Sequence, residues 1–419
     1  MLNLETASKY RSIKYNVPNY FIIFHFQFST LISTFVRHIT INYWMNFLKI
    51  NYGHSRVFGL DLLRMFAILY VVFGHSAILV PEAYKDIIRK ITLDGVAMFF
   101  VLSGFLIGGI LIKIVEKEKP SFPVLLNFWS RRWLRTAPIY FIILTVVLVY
   151  TFAFKVERVP SDWYRYFIFT QNLNHKLPLF FAESWSLSIE EWFYLLTPIA
   201  LFLALRISKS TVKTTTLIVL IVGIIAIIGY RLYLFRTLHL TDFEELNLQI
   251  TRQVLPRLDS IMFGVLAAYI AYYFPQVWNK ANYVIIPILA FIALYYLKFK
   301  NPSNISEYSI VWLPIIKSLI VFISLPFLTN WKEFRFPRIS KAVTFISLIS
   351  YSMYLTNLTV VIHIFIKHVI HGNYLHKHIL PSYWKYEYLL FWAVTIVLSY
   401  LLYVLIEVPF MKLRDINKK

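Results

Sequence analysis

Residues Gly59–His75 read GLDLLRMFAILYVVFGH and run on into SAILV. The stretch is apolar enough to enter a bilayer, yet it carries Asp61, Arg64 and His75. Ionisable groups in a membrane helix are costly, and they persist where they face a protein interior or a water-filled cavity. In a helix Asp61 and Arg64 are three residues apart and therefore neighbours. Arg64 and His75 are eleven apart. At 100° per residue that brings them within about 20° of each other, roughly 16 Å along the axis. All three form one polar stripe, with Asp61 and Arg64 near one end and His75 deep, beyond the midplane. Other helices have to meet that stripe.

The rest of the chain supplies them. Of 419 residues 58% are hydrophobic and only 15% charged, with a mean hydropathy of +0.62. Apolar runs near the length needed to cross a bilayer, about 20 residues, recur roughly at 57–80, 93–115, 136–156, 185–206, 215–235, 254–274, 281–297, 310–329, 343–367 and 387–407. The pattern predicts an all-α polytopic membrane protein, one bundle of about ten transmembrane helices, or eleven if the weaker run Tyr20–Val36 is counted. Three parts are expected: a leader at 1–55, a membrane domain at 56–412 and a basic tail at 413–419. The leader reads either as an extra helix or as sequence upstream of a start at Met45, and residues 1–19 lack the apolar core of a signal peptide.

Net charge is +21. The cations sit mostly between spans, so they read as topology signals and contacts to anionic lipid rather than to nucleic acid. Placing the N-terminus in the cytoplasm puts three basic segments (113–135, 332–341 and the tail) inside, which predicts a multi-pass protein of the cell membrane with both termini cytoplasmic. The chain has no cysteine, which removes disulfides, thiolate metal sites and a cysteine nucleophile. His363, His368, His371, His376 and His378 match no common zinc spacing, so no metal is expected.

Further polar residues enter other spans. Ser103 lies beside Gly104, Gly108 and Gly109, which read as surfaces for close helix approach. Arg132 and Arg135 share a face, and a guanidinium fork suits phosphate oxygens, although anionic lipid would also explain them. Ser186, Glu190 and Tyr194 are spaced i, i+4 along one face, while Glu191 points elsewhere and is expected to cap the helix. Arg257 and Asp259 open a later span. No phosphate-cradling glycine loop or nucleophile elbow is present.

In order, the chain carries Arg56, Asp61-x-x-Arg64-x10-His75, Gly95-Val96…Phe99-Phe100-x-x-Ser103-Gly104, Arg132-x-x-Arg135…Pro138, Trp185-Ser-Leu-Ser-Ile-Glu190…Tyr194…Pro198, Arg257-x-Asp259…Gly264, Ser350-Tyr-Ser-x-Tyr-Leu and Glu407-x-Pro409. This set resembles the acyltransferase-3 family of integral membrane O-acyltransferases, which includes bacterial lipopolysaccharide and peptidoglycan O-acetylases. The resemblance implies transfer of an acyl group, expected to be acetyl, from cytoplasmic acyl-CoA to a hydroxyl of a cell-surface carbohydrate or glycolipid. It implies acyl-CoA as co-substrate and no bound cofactor. By motif, His75, Arg64, Glu190 and Asp61 are the catalytic candidates, and Arg132, Arg135, Ser103, Tyr194, Arg257 and Asp259 the candidates for holding donor or acceptor. His75 would take the hydroxyl proton, and Asp61 would fix Arg64. The family often has His where this chain has Asn357, and an amide cannot titrate. Two other readings compete: a small-solute transporter using the same stripe, and a membrane scaffold, which leaves Arg64, His75 and Glu190 unexplained.

Overall fold

The computed structural model describes residues 56–173, 180–238, 242–300, 305–370 and 383–416. The leader, the run at 20–36 and His371, His376 and His378 lie outside the described residues. Within them the chain is helical, with no strand. The principal helices are α1 (Phe58–Ser76), α2 (Glu82–Ile91), α3 (Gly95–Lys117), α4 (Phe122–Phe154), α5 (Ser184–Ile207), α6 (Val212–Thr237), α7 (Leu258–Tyr273) and α8 (Ile285–Lys300). They continue with α9 (Leu313–Asn330), α10 (Pro337–Thr356), α11 (Trp384–Leu402) and α12 (Val408–Ile416). Among the described residues eight helical runs are long and apolar enough to cross a membrane. The remaining two expected spans, 254–274 and 281–297, correspond to the shorter helices α7 and α8, each of 16 residues. The chain is thus an all-α, multi-pass membrane protein.

Outward faces are apolar, as hydrocarbon requires. On α6 they carry Ile218, Ile221, Val222 and Ile225, and on α8 Ile288, Leu289 and Ile292. Inside, α3 and α7 approach closely because each is glycine at the crossing. A Cβ on Gly104 would overlap the Ile261 carbonyl oxygen and lie 3.0 Å from Gly264 Cα. One on Gly264 would overlap the Val101 carbonyl oxygen. With no hydrophobic drive between helices in lipid, such backbone-to-backbone packing is what joins them. Gly108 does the same against Val265. Gly109, grouped with them by sequence, faces open space.

Buried ion pairs and hydrogen bonds fix the remaining crossings. Arg231 of α6 and Asp259 of α7, both fully buried, form a two-pronged pair at 3.1 and 2.7 Å, and Arg231 also donates to the Pro256 carbonyl at 2.8 Å. Asp61 of α1 accepts from Ser347 Oγ at 2.7 Å and Thr344 Oγ1 at 3.3 Å on α10.

α10 changes register where it reaches the loop before α5. From Asn357 to Ile370 the helix runs on with π-type winding. At the junction the Asn357 amide donates to the carbonyls of Met353 (2.7 Å) and Tyr354 (3.0 Å). The Thr359 N–H, in turn, goes to Glu183 Oε1 at 2.7 Å, and its hydroxyl to Glu183 Oε2 at 2.5 Å. The Met353 carbonyl also keeps its ladder bond from the Asn357 N–H, whereas the Thr359 N–H is turned to Glu183, and the wider winding lies at this junction. Burial pushes the Glu183 carboxyl up to about 7, against the pull of the two Thr359 bonds.

Two measurements check this packing. Gly104→Val should force α3 from α7 and destabilise the protein by about 1–3 kcal/mol or more, as overpacking does. Gly109→Val should leave the melting temperature of the detergent-solubilised protein unchanged. The second concerns pH. A carboxyl with a raised folded value binds its proton more tightly folded than unfolded, so its contribution is lost as pH rises from the ordinary 4.5 through about 7. Glu183→Gln, which keeps the neutral hydrogen-bonding pattern, should flatten the fall in melting temperature across that window.

Candidate active site

Among the described residues, three of the cavities are lined by candidate site residues. The first, about 120 Å³, is bounded by Arg64, Arg132, Arg135, Ser103, Glu190 and Tyr194, among others. Six residues chosen from four separate sequence stretches thus converge on one space. Tyr194 donates to Glu190 Oε2 at 2.6 Å, Ser103 donates to the same oxygen at 3.3 Å, and the Ser103 and Tyr194 hydroxyls are 2.5 Å apart. Trp129 Nε1 donates to the Tyr194 carbonyl at 3.0 Å and pins that turn of α5 to α4. Glu190 is therefore a carboxyl held by two hydroxyls in a cavity whose wall also carries three guanidinium groups.

Glu191 was expected to cap the helix. It instead lines this same cavity, accepting from Thr136 at 2.9 Å through Oε1 while Oε2 is buried without a partner. The i, i+4 spacing that singled out Glu190 gave no hint of a second neighbour, because α4 approaches the adjacent face of α5.

Asp61 stands behind this cavity rather than in its wall. Its carboxylate is held chiefly by Arg56, whose Nε donates at 2.8 Å and whose Nη2 bonds the other oxygen. Arg64 reaches it only at 4.0 Å. Asp61 thus braces α1 against α10, with Arg64 turned towards the cavity.

His75 opens onto a different and larger space of about 1070 Å³, with Glu183, Arg158, His363 and Lys367 among its walls. The stripe on α1 is divided: Arg64 faces the smaller cavity and His75 the larger. Val96 and Tyr354 border both. His75 also sits in the last turn of α1, since the α-helix ends at Ser76 and a short 3₁₀ turn follows. It lies near the end of the apolar run Phe58–Leu79.

The partner of His75 is Asn357. Its Oδ1 lies 2.6 Å from His75 Nδ1. Both hydrogens of the Asn357 amide are already directed at the Met353 and Tyr354 carbonyls. The oxygen must then accept, and the proton must reside on His75 Nδ1. Nε2 keeps its lone pair, which is the form a general base requires. Sequence marked Asn357 as a position that cannot titrate but could not show which side chain it serves.

Arg257 and Asp259 part company. Asp259 is consumed by Arg231, whereas Arg257 lines a third cavity of about 480 Å³ with Asp94, Lys298 and Lys317. That cavity and the His75 cavity share Asp94, Trp185 and Arg252 among their walls. Of the histidine series, His363 and His368 border the His75 cavity. Among the described residues no three potential ligands gather as a metal site.

Comparison with known proteins follows the same outline. The chain is 32% identical over 185 residues to the O-acetyltransferase OatA of Staphylococcus aureus (strain NCTC 8325 / PS 47), a match covering 40% of this chain and 28% of that one. It is 32% identical over 176 residues to the peptidoglycan O-acetyltransferase OatA of Listeria monocytogenes, covering 38% and 26%. A Staphylococcus aureus (strain COL) protein provisionally named an O-acetyltransferase is 28% identical over 387 residues, covering 84% and 57%. The chain therefore spans only part of the length of these relatives. No solved structure matches it. The family described as an acyltransferase domain matches residues 57–408, and with that extent of agreement the chain belongs to the acyltransferase-3 family.

Proposed function

We propose that this protein is a membrane O-acetyltransferase that carries an acetyl group from acyl-CoA, entering from the cytoplasmic side, to a hydroxyl of a cell-envelope carbohydrate on the other side. The observation that carries the reading is the His75–Asn357 pair: an imidazole held in one tautomer, with its basic nitrogen free, in the wall of a cavity large enough for a sugar. Family membership and the names of the OatA relatives support acetyl transfer to a glycan.

The donor belongs in the Arg64 cavity. A space of about 120 Å³ suits the acyl thioester end, with the nucleotide left outside among the basic residues of 113–135. Arg132 and Arg135 present forked charge to its phosphates, and Glu190, fixed by Ser103 and Tyr194, keeps the guanidinium groups in place. The acceptor hydroxyl sits in the His75 cavity. The two reactants meet where Val96 and Tyr354 border both spaces. His75 Nε2 removes the hydroxyl proton as the oxygen attacks the thioester carbonyl carbon. The carbon–sulfur bond breaks, and the proton passes to the departing thiolate. Asn357 Oδ1 holds the imidazolium through Nδ1 while the charge is on it.

Losing a general base lowers rate by about 10²–10⁴-fold. His75→Gln should therefore abolish envelope O-acetylation at unchanged protein level, read as the acetyl content of purified glycan by mass spectrometry. Asn357→Ala, which leaves the ring in place without its acceptor, should lower it less, by roughly tenfold, since one hydrogen bond to a charged group is removed. Near-normal acetylation in His75→Gln would end the assignment. The transporter alternative predicts solute flux with no change in acetyl content.

Arg132→Gln together with Arg135→Gln should weaken binding of labelled acetyl-CoA to the purified protein while leaving its membrane insertion intact. Undiminished binding would return both residues to a lipid-anchoring role.

A further inference from the structure

The 480 Å³ cavity is not needed to hold either reactant as described above, yet its walls are highly unequal in charge. Among the described residues that line it are Arg252, Arg257, Lys298 and Lys317, against one carboxylate, Asp94. Arg252 has a further interaction of its own, and Arg257, Lys298 and Lys317 against Asp94 leave a net of two positive charges. Asp94 is already engaged, capping α3 through the Ala97 N–H at 3.0 Å and pairing with Lys317 Nζ at 3.1 Å. Lys298 Nζ bonds the Thr92 carbonyl and reaches its hydroxyl at 3.4 Å.

Arg257 is the exception. Only 5% of it is exposed, and its side chain has no hydrogen-bond partner among the described residues, with Nε wholly buried. Its guanidinium carbon stands 5.8 Å from the Phe100 ring centre. Asp94 and Asp259 lie near enough to act on its charge but neither bonds it, and a buried guanidinium without hydrogen bonds is disfavoured unless an anion completes it. A doubly charged, three-oxygen group balances two surplus charges better than a lone carboxylate, and it matches the Arg fork.

The opposite wall is apolar: Leu294, Leu297, Ile310, Leu313 and Pro314. Leu294 and Leu297 belong to α8, whose other face carries the exposed Ile288, Leu289 and Ile292. The cavity is thus one helix thickness from lipid, with charge on one side and hydrocarbon on the other.

We infer that this cavity is a second binding site, for the phosphate of a membrane amphiphile: the phosphate against Arg257, Lys317 and Lys298, the hydrocarbon along α8 and α9. Because the cavity shares Asp94, Trp185 and Arg252 with the His75 cavity, a headgroup bound there extends towards His75. That last consequence rests on the acetyl-transfer reading, whereas the binding itself does not.

The test uses purified full-length protein in detergent, without any acyl donor, so it is read apart from acetyl transfer. Phosphatidic acid and diacylglycerol of identical chains are compared by native mass spectrometry, with inorganic phosphate as competitor. Phosphatidic acid should bind, diacylglycerol should bind at least about tenfold more weakly, and millimolar inorganic phosphate should displace little. Arg257→Gln should lower affinity for phosphatidic acid about tenfold or more, as loss of a hydrogen bond between charged groups does. Should that variant fail to fold, Leu297→Trp fills the apolar side without altering charge and should exclude the lipid. Equal binding of the two lipids would overturn the site, as would wild-type affinity in the folded variants. Inorganic phosphate binding as tightly as phosphatidic acid would overturn the amphiphile and leave a plain phosphate site.

Discussion

A polar group in hydrocarbon has no water to turn to, so each one must find its partner within the protein, on its own backbone or on another helix. This single constraint arranges the bundle. Asp61 reaches from α1 to Ser347 and Thr344 on α10. Arg231 on α6 meets Asp259 on α7, Glu190 on α5 meets Ser103 on α3, and Ser352 on α10 meets Glu407 between α11 and α12. Glycine at the α3–α7 crossing lets the two backbones come into contact. Apolar side chains are equally content in lipid and in protein, so they fill the interior without choosing which helices are neighbours.

The same constraint separates residues that hold the structure from those available to a ligand. Asp259 has every demand met, and it lies in a dry ion pair. Part of the capacity left over lies in cavity walls, while Arg231 Nε and Ser260 Oγ are buried without a partner outside the three cavities. His75 has Nε2 to spare, Arg257 a whole guanidinium, and Glu191 one oxygen. Asn357 links the two classes. Its amide hydrogens are committed to the backbone of α10, and that commitment determines what its oxygen offers to His75. The widened winding begins at Asn357, and the Glu183–Thr359 bonds lie at the same junction.

Much of this was legible in the residues. The length and spacing of apolar runs foretold the helices, although two of the ten, α7 and α8, proved short, because 254–257 and 281–284 form turns. The convergence of Arg64, Ser103, Arg132, Arg135, Glu190 and Tyr194 on one cavity agrees with their selection from scattered motifs. Other readings changed. His75 and Arg64 share a stripe but line different cavities, which have Val96 and Tyr354 in common. Asp61 serves Arg56 before Arg64. Glu191 turned inwards because α4 packs on its side of α5.

What the sequence by itself determined is periodic and local: which segments are helices, which face of each carries polar groups, and that those faces must be turned inward. A helical repeat links residues three, four or eleven apart, so these properties are written in one segment. What only the tertiary structure decided is which inward group meets which. Asn357 lies 282 residues from His75 in sequence, and no repeat relates them. Their bond exists because α10 crosses α1 at the height of His75, and crossings are set by close backbone contact and by polar pairing over the entire bundle at once.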